Sequence, residues 1–159
     1  EFDIQYEQLS KVSVSEVNKD LSKYVCNVGE LVYAMTGATI GKTAINISHP
    51  LLVNQRVGII RSKSEIPNGY LLVYFNSLIG KYFSKFLNTG VAQPNISIDD
   101  VGEFIVPILE QNLMDQIHNK IIQSLKNNIK SKQLISEAKQ DVEDLIEGKF
   151  DESKISEGV

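Results

Sequence analysis

The chain lacks most of the features that mark secreted, membrane-spanning or disulfide-stabilised proteins. Cys26 is the only cysteine in 159 residues, which excludes a disulfide framework or a cysteine metal site within the chain and indicates a small buried hydrophobe. No apolar run approaches the roughly 18 residues of a transmembrane helix. The first residues lack the basic start and apolar core of a signal peptide, so we expect a cytoplasmic protein. The first residue is not Met, which suggests a portion of a longer chain.

Acidic residues are scarce in the middle of the chain, although the whole chain is acidic. Between Leu31 and Ile98 the sequence has six basic residues and one acidic residue, Glu65, so this stretch has a net charge of +5. Because the whole chain carries −4, the remaining residues carry −9. This division predicts an anionic partner for the middle of the chain, and lysines scattered over several faces are the alternative. Four of the basic residues lie between positions 42 and 63, which favours a nucleic-acid surface.

An apolar segment, Leu31–Met35, runs into two glycine turns that look like a phosphate-binding loop. A loop of the type Gly-x4-Gly-Lys-Ser/Thr needs a glycine five residues before Gly41, and Thr36 stands there instead. The residues after Lys42 include β-branched Thr43, Ile45 and Ile47 and predict a strand, whereas a phosphate-binding loop leads into a helix. The sequence therefore disfavours a nucleotide hydrolase.

Short strands and short helices are predicted before residue 108. We expect an α+β fold, with a mixed or antiparallel curved sheet or a small β-barrel-like domain. The helical spacing of apolar residues in Tyr70–Leu87 predicts one amphipathic helix or a pair broken around Gly80, and Asp99-Asp100 is typical of a helix start. A further short helix is predicted at Ser15–Leu21. The predicted strands are Tyr24–Cys26, Leu31–Met35, Thr43–Ile47, Gln55–Arg61 and Phe104–Val106.

One long C-terminal α-helix is predicted, because the 38 residues from Glu110 to Glu147 contain neither Pro nor Gly. Its apolar residues fit a heptad pattern typical of a coiled coil, with a surface helix as the alternative, and Asn128 at a core position would set the register. We expect domain bounds of 1–108 for recognition, 109–148 for the helix and 149–159 for a flexible tail. The residues predicted to pair are Met114, Ile117, Ile121, Asn128, Ile135, Ala138, Val142 and Leu145.

No group of residues has the spacing expected of a catalytic or metal site. His49 and His118 are far apart in the sequence and fall in different predicted elements. The serines lack the strand–turn–helix setting of an activated nucleophile. We therefore expect a protein that is not an enzyme, without a metal or a cofactor.

Recognition of DNA requires cations at the phosphates and bidentate side chains at the base edges, and the turns of this chain supply both. Turn glycines let the backbone approach a phosphate closely, and Pro94 stiffens the loop that carries Gln93 and Asn95. The alternative is that turn Asn and Gln side chains bond their own backbone. The candidate DNA-binding residues are Thr36, Gly37, Thr39, Gly41, Lys42, Asn54, Gln55, Arg56, Arg61, Lys63, Gln93 and Asn95.

Four segments, in this order, resemble the target-recognition domain of type I restriction-modification DNA specificity subunits. They are Thr36–Lys42 (TGATIGK), Asn54–Val57 (NQRV), Gly90–Ile96 (GVAQPNI) and the pair Glu110-Gln111 that opens the long helix. The resemblance extends from about residue 28 to residue 150. It implies a non-catalytic component that binds double-stranded DNA and directs adenine methylation.

The resemblance also implies partners. A complete specificity subunit has two recognition domains, each followed by a long helix, and the two helices pack as an antiparallel spacer between the halves of a split DNA target. Methyltransferase subunits dock on it, and restriction subunits join through them. This chain has one domain and one helix, so we expect half of a larger subunit or a form that dimerises through its helix. The alternatives are the recognition domain of a fused methyltransferase-nuclease and a coiled-coil adaptor that does not bind DNA.

Overall fold

The structure is a computed structural model that describes residues 4–13, 15, 21–62, 65–87 and 95–150. It confirms an α+β fold of small antiparallel sheets, short helices and one long C-terminal helix. The chain divides into two compact units, residues 1–123 and 124–159, and the domain bounds expected from the sequence stay a prediction. Most of the predicted helix Ser15–Leu21 and the tail from residue 151 lie outside the described residues.

The strands and α-helices follow one another along the chain as follows: β1 (Val25–Cys26), β2 (Leu31–Ala34), β3 (Thr43–Ile45), β4 (Leu51–Leu52), β5 (Val57–Ile60), α1 (Asn68–Asn76), α2 (Leu78–Phe86), α3 (Ile98–Gly102) and α4 (Gln111–Ile146).

The central strand of the larger sheet is β2, which pairs antiparallel with β3 on one side and β5 on the other. Burial alternates along this strand, because successive side chains point to opposite faces of the sheet: Leu31 and Tyr33 are fully buried, whereas Val32 and Ala34 are half-buried. A second sheet pairs β1 with β4, in the register Val25 opposite Leu52. The two-residue strand β4 was not predicted, because so short a segment carries no alternating pattern.

An aromatic cluster joins this sheet to the helices. The ring of Tyr33 on β2 lies 5.8 Å from that of Phe75 on α1 and 6.3 Å from that of Phe104. The Phe104 ring lies 5.3 Å from Phe75 and 5.5 Å from Phe83 on α2. Tilted and edge-to-face pairs at these distances contribute about 0.5–1.5 kcal/mol each beyond their burial. The cluster therefore holds α1 and α2 against the sheet.

The strand predicted at Phe104–Val106 was wrong, because the structure describes these residues without strand pairing. Instead, side-chain hydroxyl groups bond the backbone of this segment. The Tyr74 hydroxyl donates to the carbonyl of Ile105 and the Tyr70 hydroxyl donates to that of Pro107, both at 2.7 Å. These bonds and the buried Phe104 ring fix the segment along α1.

The helical region 70–87 is a broken pair, as one alternative predicted, but the break falls at Ser77 and not at Gly80. Ser77 has an extended ψ of 169°, ends α1 and caps α2, since its hydroxyl accepts a hydrogen bond from the Gly80 N–H. Gly80 serves a different purpose. A Cβ there would lie 2.5 Å from the carbonyl oxygens of Tyr74 and Phe75, so only glycine permits this close turn between the helices.

Helix α3 begins next to Asp99-Asp100, as predicted, but its N-cap residue is Ser97 and the two aspartates lie in the first turn. The Ser97 hydroxyl accepts from the Asp100 N–H, and the Asp100 carboxylate accepts from the Ser97 N–H, which completes a capping box. Hydrogen bonds from the Ser97 side chain and backbone hold the pKa of the Asp100 carboxyl below its usual value. This short helix positions Ile98 against β5, where a Cβ on Gly58 would lie 2.6 Å from the Ile98 side chain.

Helix α4 covers 36 residues, or about 54 Å at 1.5 Å per residue. Its first turns pack on α1, and Met114 is only 2% exposed. The Gly69 N–H, one of the unpaired donors at the start of α1, donates to His118 Nδ1 at 2.9 Å. Gly148, at a φ of +69°, follows the helix, and a left-handed glycine is common just beyond a helix end. In the described part of the chain, no helix is long and apolar enough to cross a membrane.

Gly69→Ala should destabilise the first unit. The added Cβ would lie 2.6 Å from His118 Nδ1 and 2.9 Å from the His118 Cα, so α4 must shift and the hydrogen bond to His118 must weaken. Overpacking together with a strained hydrogen bond costs about 1–3 kcal/mol in free energy of unfolding. Urea denaturation measures this loss, and Gly102→Ala, where nothing lies within 4 Å of the added carbon, is the control. Equal midpoints for the two variants would contradict the close packing.

Candidate nucleic-acid interface

Three of the predicted segments meet at one end of the larger sheet, where β2 ends and β3 and β5 begin. Met35 connects them, because its N–H donates to the carbonyl of Arg56 at 2.9 Å and its carbonyl accepts from the Ile96 N–H at 3.0 Å. The next residue, Thr36, forms an antiparallel bridge with Asn95. The structure thus brings together the turn 36–42, the turn 54–56 and Asn95, which we call the sheet-end surface.

The turn 36–42 is a tight connection between β2 and β3. Its base is closed by the Ala34 N–H donating to the Lys42 carbonyl and the Gly41 N–H donating to the Ala34 carbonyl, both at 2.9 Å. A single 3-10 turn, Gly37–Thr39, forms its tip. Gly37, Thr39 and Lys42 are exposed, so backbone and cation are both accessible to an anion. The strand that follows Lys42 confirms that this is no phosphate-binding loop of the nucleotide hydrolase type, which would lead into a helix.

Both turn glycines adopt the left-handed region, but for different reasons. Gly37 has a φ of +72° with nothing within 4 Å of an added Cβ, so only backbone conformation requires glycine. Gly41 has a φ of +82° and also lies against α2, where a Cβ would meet the Ser84 hydroxyl at 2.7 Å. Ser84 is 2% exposed, and its hydroxyl bonds the Tyr33 hydroxyl at 2.7 Å and the Gly80 carbonyl at 2.9 Å.

The turn 54–56 divides its polar side chains between structure and solvent. The Asn54 side-chain oxygen accepts from the Arg56 N–H at 3.0 Å, and its carbonyl accepts from the Val57 N–H at 3.1 Å. Asn54 therefore bonds its own backbone, as the structural alternative for turn residues predicts. The side chains of Gln55 and Arg56 are exposed beside it, where they can reach a base edge or a phosphate.

Arg61 follows β5 and lies at the opposite end of the sheet from the sheet-end surface. Its guanidinium donates to the Glu30 carboxylate at 2.7 Å and to the Val25 carbonyl at 2.8 Å. Desolvation alone would raise the pKa of the Glu30 carboxyl, but hydrogen bonds from the Asn27 N–H and from Arg61 outweigh it and lower that pKa. These contacts give Arg61 a structural role, and we leave it out of the sheet-end surface. Lys63 and Gln93 lie outside the described residues.

Each of the two histidines forms a hydrogen bond within the chain, and the cysteine is buried. His49 Nδ1 bonds the Ser48 hydroxyl at 2.9 Å, and His118 accepts from Gly69. Burial raises the pKa of the Cys26 thiol to about 11, so the thiolate that would act as a nucleophile is disfavoured. In the described ranges, no three His, Cys, Asp or Glu residues are grouped as metal ligands would be.

Helix α2 lies against the turn 36–42, and the sequence did not predict this contact. Ser84 touches the turn at Gly41, and Lys81 and Lys85 are exposed on the same helix. A signal was present, because the sequence has no acidic residue between Glu65 and Asp99. The helical spacing of this region predicts a buried apolar face instead, and it carries no information about the contact with the turn.

Gly41→Ala should destabilise the chain more than Gly37→Ala. Both substitutions put alanine in the left-handed region at a cost of about 1–2 kcal/mol, but only the Gly41 variant also drives a Cβ into Ser84. Overpacking adds about 1–3 kcal/mol. Urea denaturation of the two variants measures the difference, and Gly37→Ala serves as the matched control for backbone strain. The account of Gly41 is wrong if the two midpoints coincide.

Comparison with known families gives one match that covers most of the chain. The family model for the type I restriction modification DNA specificity domain matches residues 4–140, which include the sheet-end surface and the first thirty residues of α4. A search of curated proteins gives no match. Since the family model matches far more than half of the residues, the chain belongs to the type I restriction modification DNA specificity domain family, whose role is DNA target recognition.

Proposed function

We propose that this chain recognises one half of a split DNA target, and that the sheet-end surface makes the contact. The observation that carries the proposal is the convergence of two polar turns and Asn95 at one end of the sheet, held together by Met35. The turns contribute accessible cations and amides in a part of the chain that has a net charge of +5. The sheet-end surface itself has two exposed cations, Lys42 and Arg56, and no acidic residue, so it attracts the DNA backbone, while the rigid sheet behind it keeps its side chains in register.

The two kinds of DNA contact are assigned to different residues. Lys42 and the exposed backbone around Gly37 suit phosphates, since a lysine acts as a point charge and a glycine lets the chain approach closely. Gln55 and Arg56 suit base edges, Gln for adenine and Arg for guanine, because both side chains can form two hydrogen bonds to one base. Asn95 lies beside Thr36 and supplies a further amide. We assign Asn54 to the support of this turn.

The component itself is proposed to be non-catalytic. Its methyltransferase subunits would supply adenine methylation, and restriction subunits would join through them. Because a recognition domain contributes only binding, its effect on methylation is to increase the residence of the methyltransferase at particular sequences. Membership of the family supports this assignment of partners, and a binding assay with the methyltransferase subunit tests it.

We propose that α4 pairs antiparallel with a second helix of the same kind. Residues 111–132 carry four lysines and Asp115, a net charge of +3, whereas residues 133–146 carry Lys139 and four acids, a net charge of −3. Antiparallel pairing of two copies brings opposite charges together, and parallel pairing brings like charges together. The large apolar side chains Ile135, Val142 and Leu145 are 55–64% exposed and need a partner.

The most exposed apolar residues of the proposed seam lie in the second half of α4, and antiparallel pairing places them against the first half of the partner's helix. Met114 is buried in the first unit, and the Ile121 side chain lies 2.8 Å from the position of a Cβ on Gly69. These two contribute to the recognition domain, although the heptad pattern included them. Asn128 and Ala138 are exposed on the same helix and stay candidates for the proposed seam, and Ile117, which is half-buried, stays one as well.

Removal of Lys42 and removal of Arg56 should have different effects on DNA binding. Lys42→Ala should weaken binding to all sequences and reduce the slope of log affinity against log salt by about 1, as expected for one phosphate contact. Arg56→Ala should relax the preference at one base position, at a cost of about 1–3 kcal/mol. Enrichment from random-sequence duplexes followed by salt titration measures both. Lys139→Ala, an equal charge change on an exposed residue of α4, should leave slope and preference unchanged.

Ile135→Asp combined with Val142→Asp should abolish helix pairing. The two side chains are 55% and 57% exposed, so the substitutions should leave the first unit folded while placing charges in the apolar seam. Sedimentation of the full chain should show half the mass of the unmodified protein. Gln133→Asp with Ser136→Asp, two exposed positions outside the apolar seam of the heptad pattern, is the control and should keep the mass. A dimer that persists in the first variant would place the interface elsewhere.

A further inference from the structure

Helix α2 rests directly on the turn of the sheet-end surface. The buried hydroxyl of Ser84 bonds the Tyr33 hydroxyl, and the Ser84 side chain approaches Gly41 so closely that a Cβ there would lie 2.7 Å from it. The chain positions adjacent to this contact are Lys42 on the turn and Lys85 on the helix. Because neighbouring Cα atoms are about 3.8 Å apart, the Cα atom of each lysine lies about that far from the Cα atom of a residue in the contact.

Two lysines share one side of α2. Successive residues of an α-helix are rotated by about 100°, so Lys81 and Lys85, four residues apart, lie on the same flank. Phe83 occupies the other flank, where its ring packs 5.5 Å from Phe104. Lys42, Lys81 and Lys85 are all exposed, and none of them has an acidic partner among the residues that the structure describes.

The stretch of sequence that contains Lys81 and Lys85 carries no negative charge. Helix α2 contains two lysines and no acid, and the 33 residues between Glu65 and Asp99 contain none either. Uncompensated ammonium groups on a rigid element attract a polyanion, and they do so without reading its sequence. The polyanion that these lysines meet is expected to be DNA, because α2 lies next to a turn of the sheet-end surface, which is proposed to contact DNA.

We propose that Lys81 and Lys85 extend the DNA interface onto α2 and, with Lys42, hold the phosphate backbone of the bound duplex. The proposal rests on the proposed function, because it assumes that the sheet-end surface contacts DNA. The three residues, the lysine cluster, supply affinity and orientation. Sequence choice stays with the turn 54–56 and Asn95. The arrangement explains why the helix behind the turn is basic on one flank while the opposite flank is used for the core.

The outer face of α2 also has features that suit a protein partner, which is the alternative to DNA. Tyr82 and Phe86 are 67% and 72% exposed and stack on each other with centroids 6.4 Å apart, next to the lysines. An apolar ridge beside basic residues also suits an acidic, apolar segment of a protein. We favour DNA because Lys42 and Lys85 are the chain neighbours of Gly41 and Ser84, which meet at this contact, whereas the apolar side chains lie on the face of α2 turned away from Ser84.

The test is a salt titration of DNA binding by the full chain, with a duplex enriched from a random-sequence library. Lys81→Ala with Lys85→Ala should reduce the slope of log affinity against log salt by about 1.8, since each lost phosphate contact contributes about 0.9. The preferred sequence should stay the same. Lys81→Arg with Lys85→Arg should keep the original slope, because charge is retained. Lys23→Ala with Lys139→Ala, the same change of two charges on exposed lysines outside α2, should also keep it.

The possible failures are distinguishable. If the Lys42 and Arg56 variants alter DNA binding but the Lys81/Lys85 alanine variant does not, the lysine cluster is wrong and the sheet-end surface stands. If none of these variants alters DNA binding, the proposed function fails as well. If the Lys81/Lys85 alanine variant keeps its DNA slope but loses binding to the methyltransferase subunit, α2 is a protein-docking surface and the proposal is overturned. Circular dichroism of each variant verifies that the fold is intact.

Discussion

The contact between Gly41 and Ser84 fixes the relation between sheet and helices on which the candidate interface depends. A left-handed glycine lets the β2–β3 turn come within van der Waals distance of α2, and the Ser84 hydroxyl is held there by Tyr33 and Gly80. A side chain on Gly41 would force the turn and the helix apart. The same contact determines the position of Lys42 on the surface and the flank of α2 that stays exposed. Specificity in DNA binding requires such fixed supports, because a displaced side chain loses its hydrogen-bond geometry.

A second constraint joins the recognition domain to the first turns of α4. Gly69 allows α1 to approach α4 closely, and His118 satisfies the donor that the start of α1 leaves unpaired. The first turns of α4 therefore form part of the core of the first unit, with Met114 buried. The opposite charges of the two halves of α4 then favour an antiparallel partner. In this proposal α4 completes the core of its own domain and also determines the distance to a second recognition domain.

Local signals in the sequence predicted much of the fold, and contacts between distant residues account for what they missed. The turn 36–42 and the long helix follow from glycines and from the absence of Pro and Gly, which act over a few residues. By contrast, Arg61 pairs with Glu30, which is 31 positions away, so its charge looked available until the structure placed the two together. Phe104 was mistaken for a strand residue because its aromatic contacts come from other elements. No periodicity within one segment carries that information.

The central claim is that this chain selects DNA by sequence through the sheet-end surface. The most direct measurement is enrichment from a library of random-sequence duplexes by the purified full chain and, in parallel, by a variant with Gln55→Ala and Arg56→Ala. The account predicts that the unmodified chain enriches a short motif and that the variant still binds DNA but loses preference at one or two positions of that motif. If the unmodified chain enriches no motif, or if the variant enriches the same one, the assignment of recognition to this surface is contradicted.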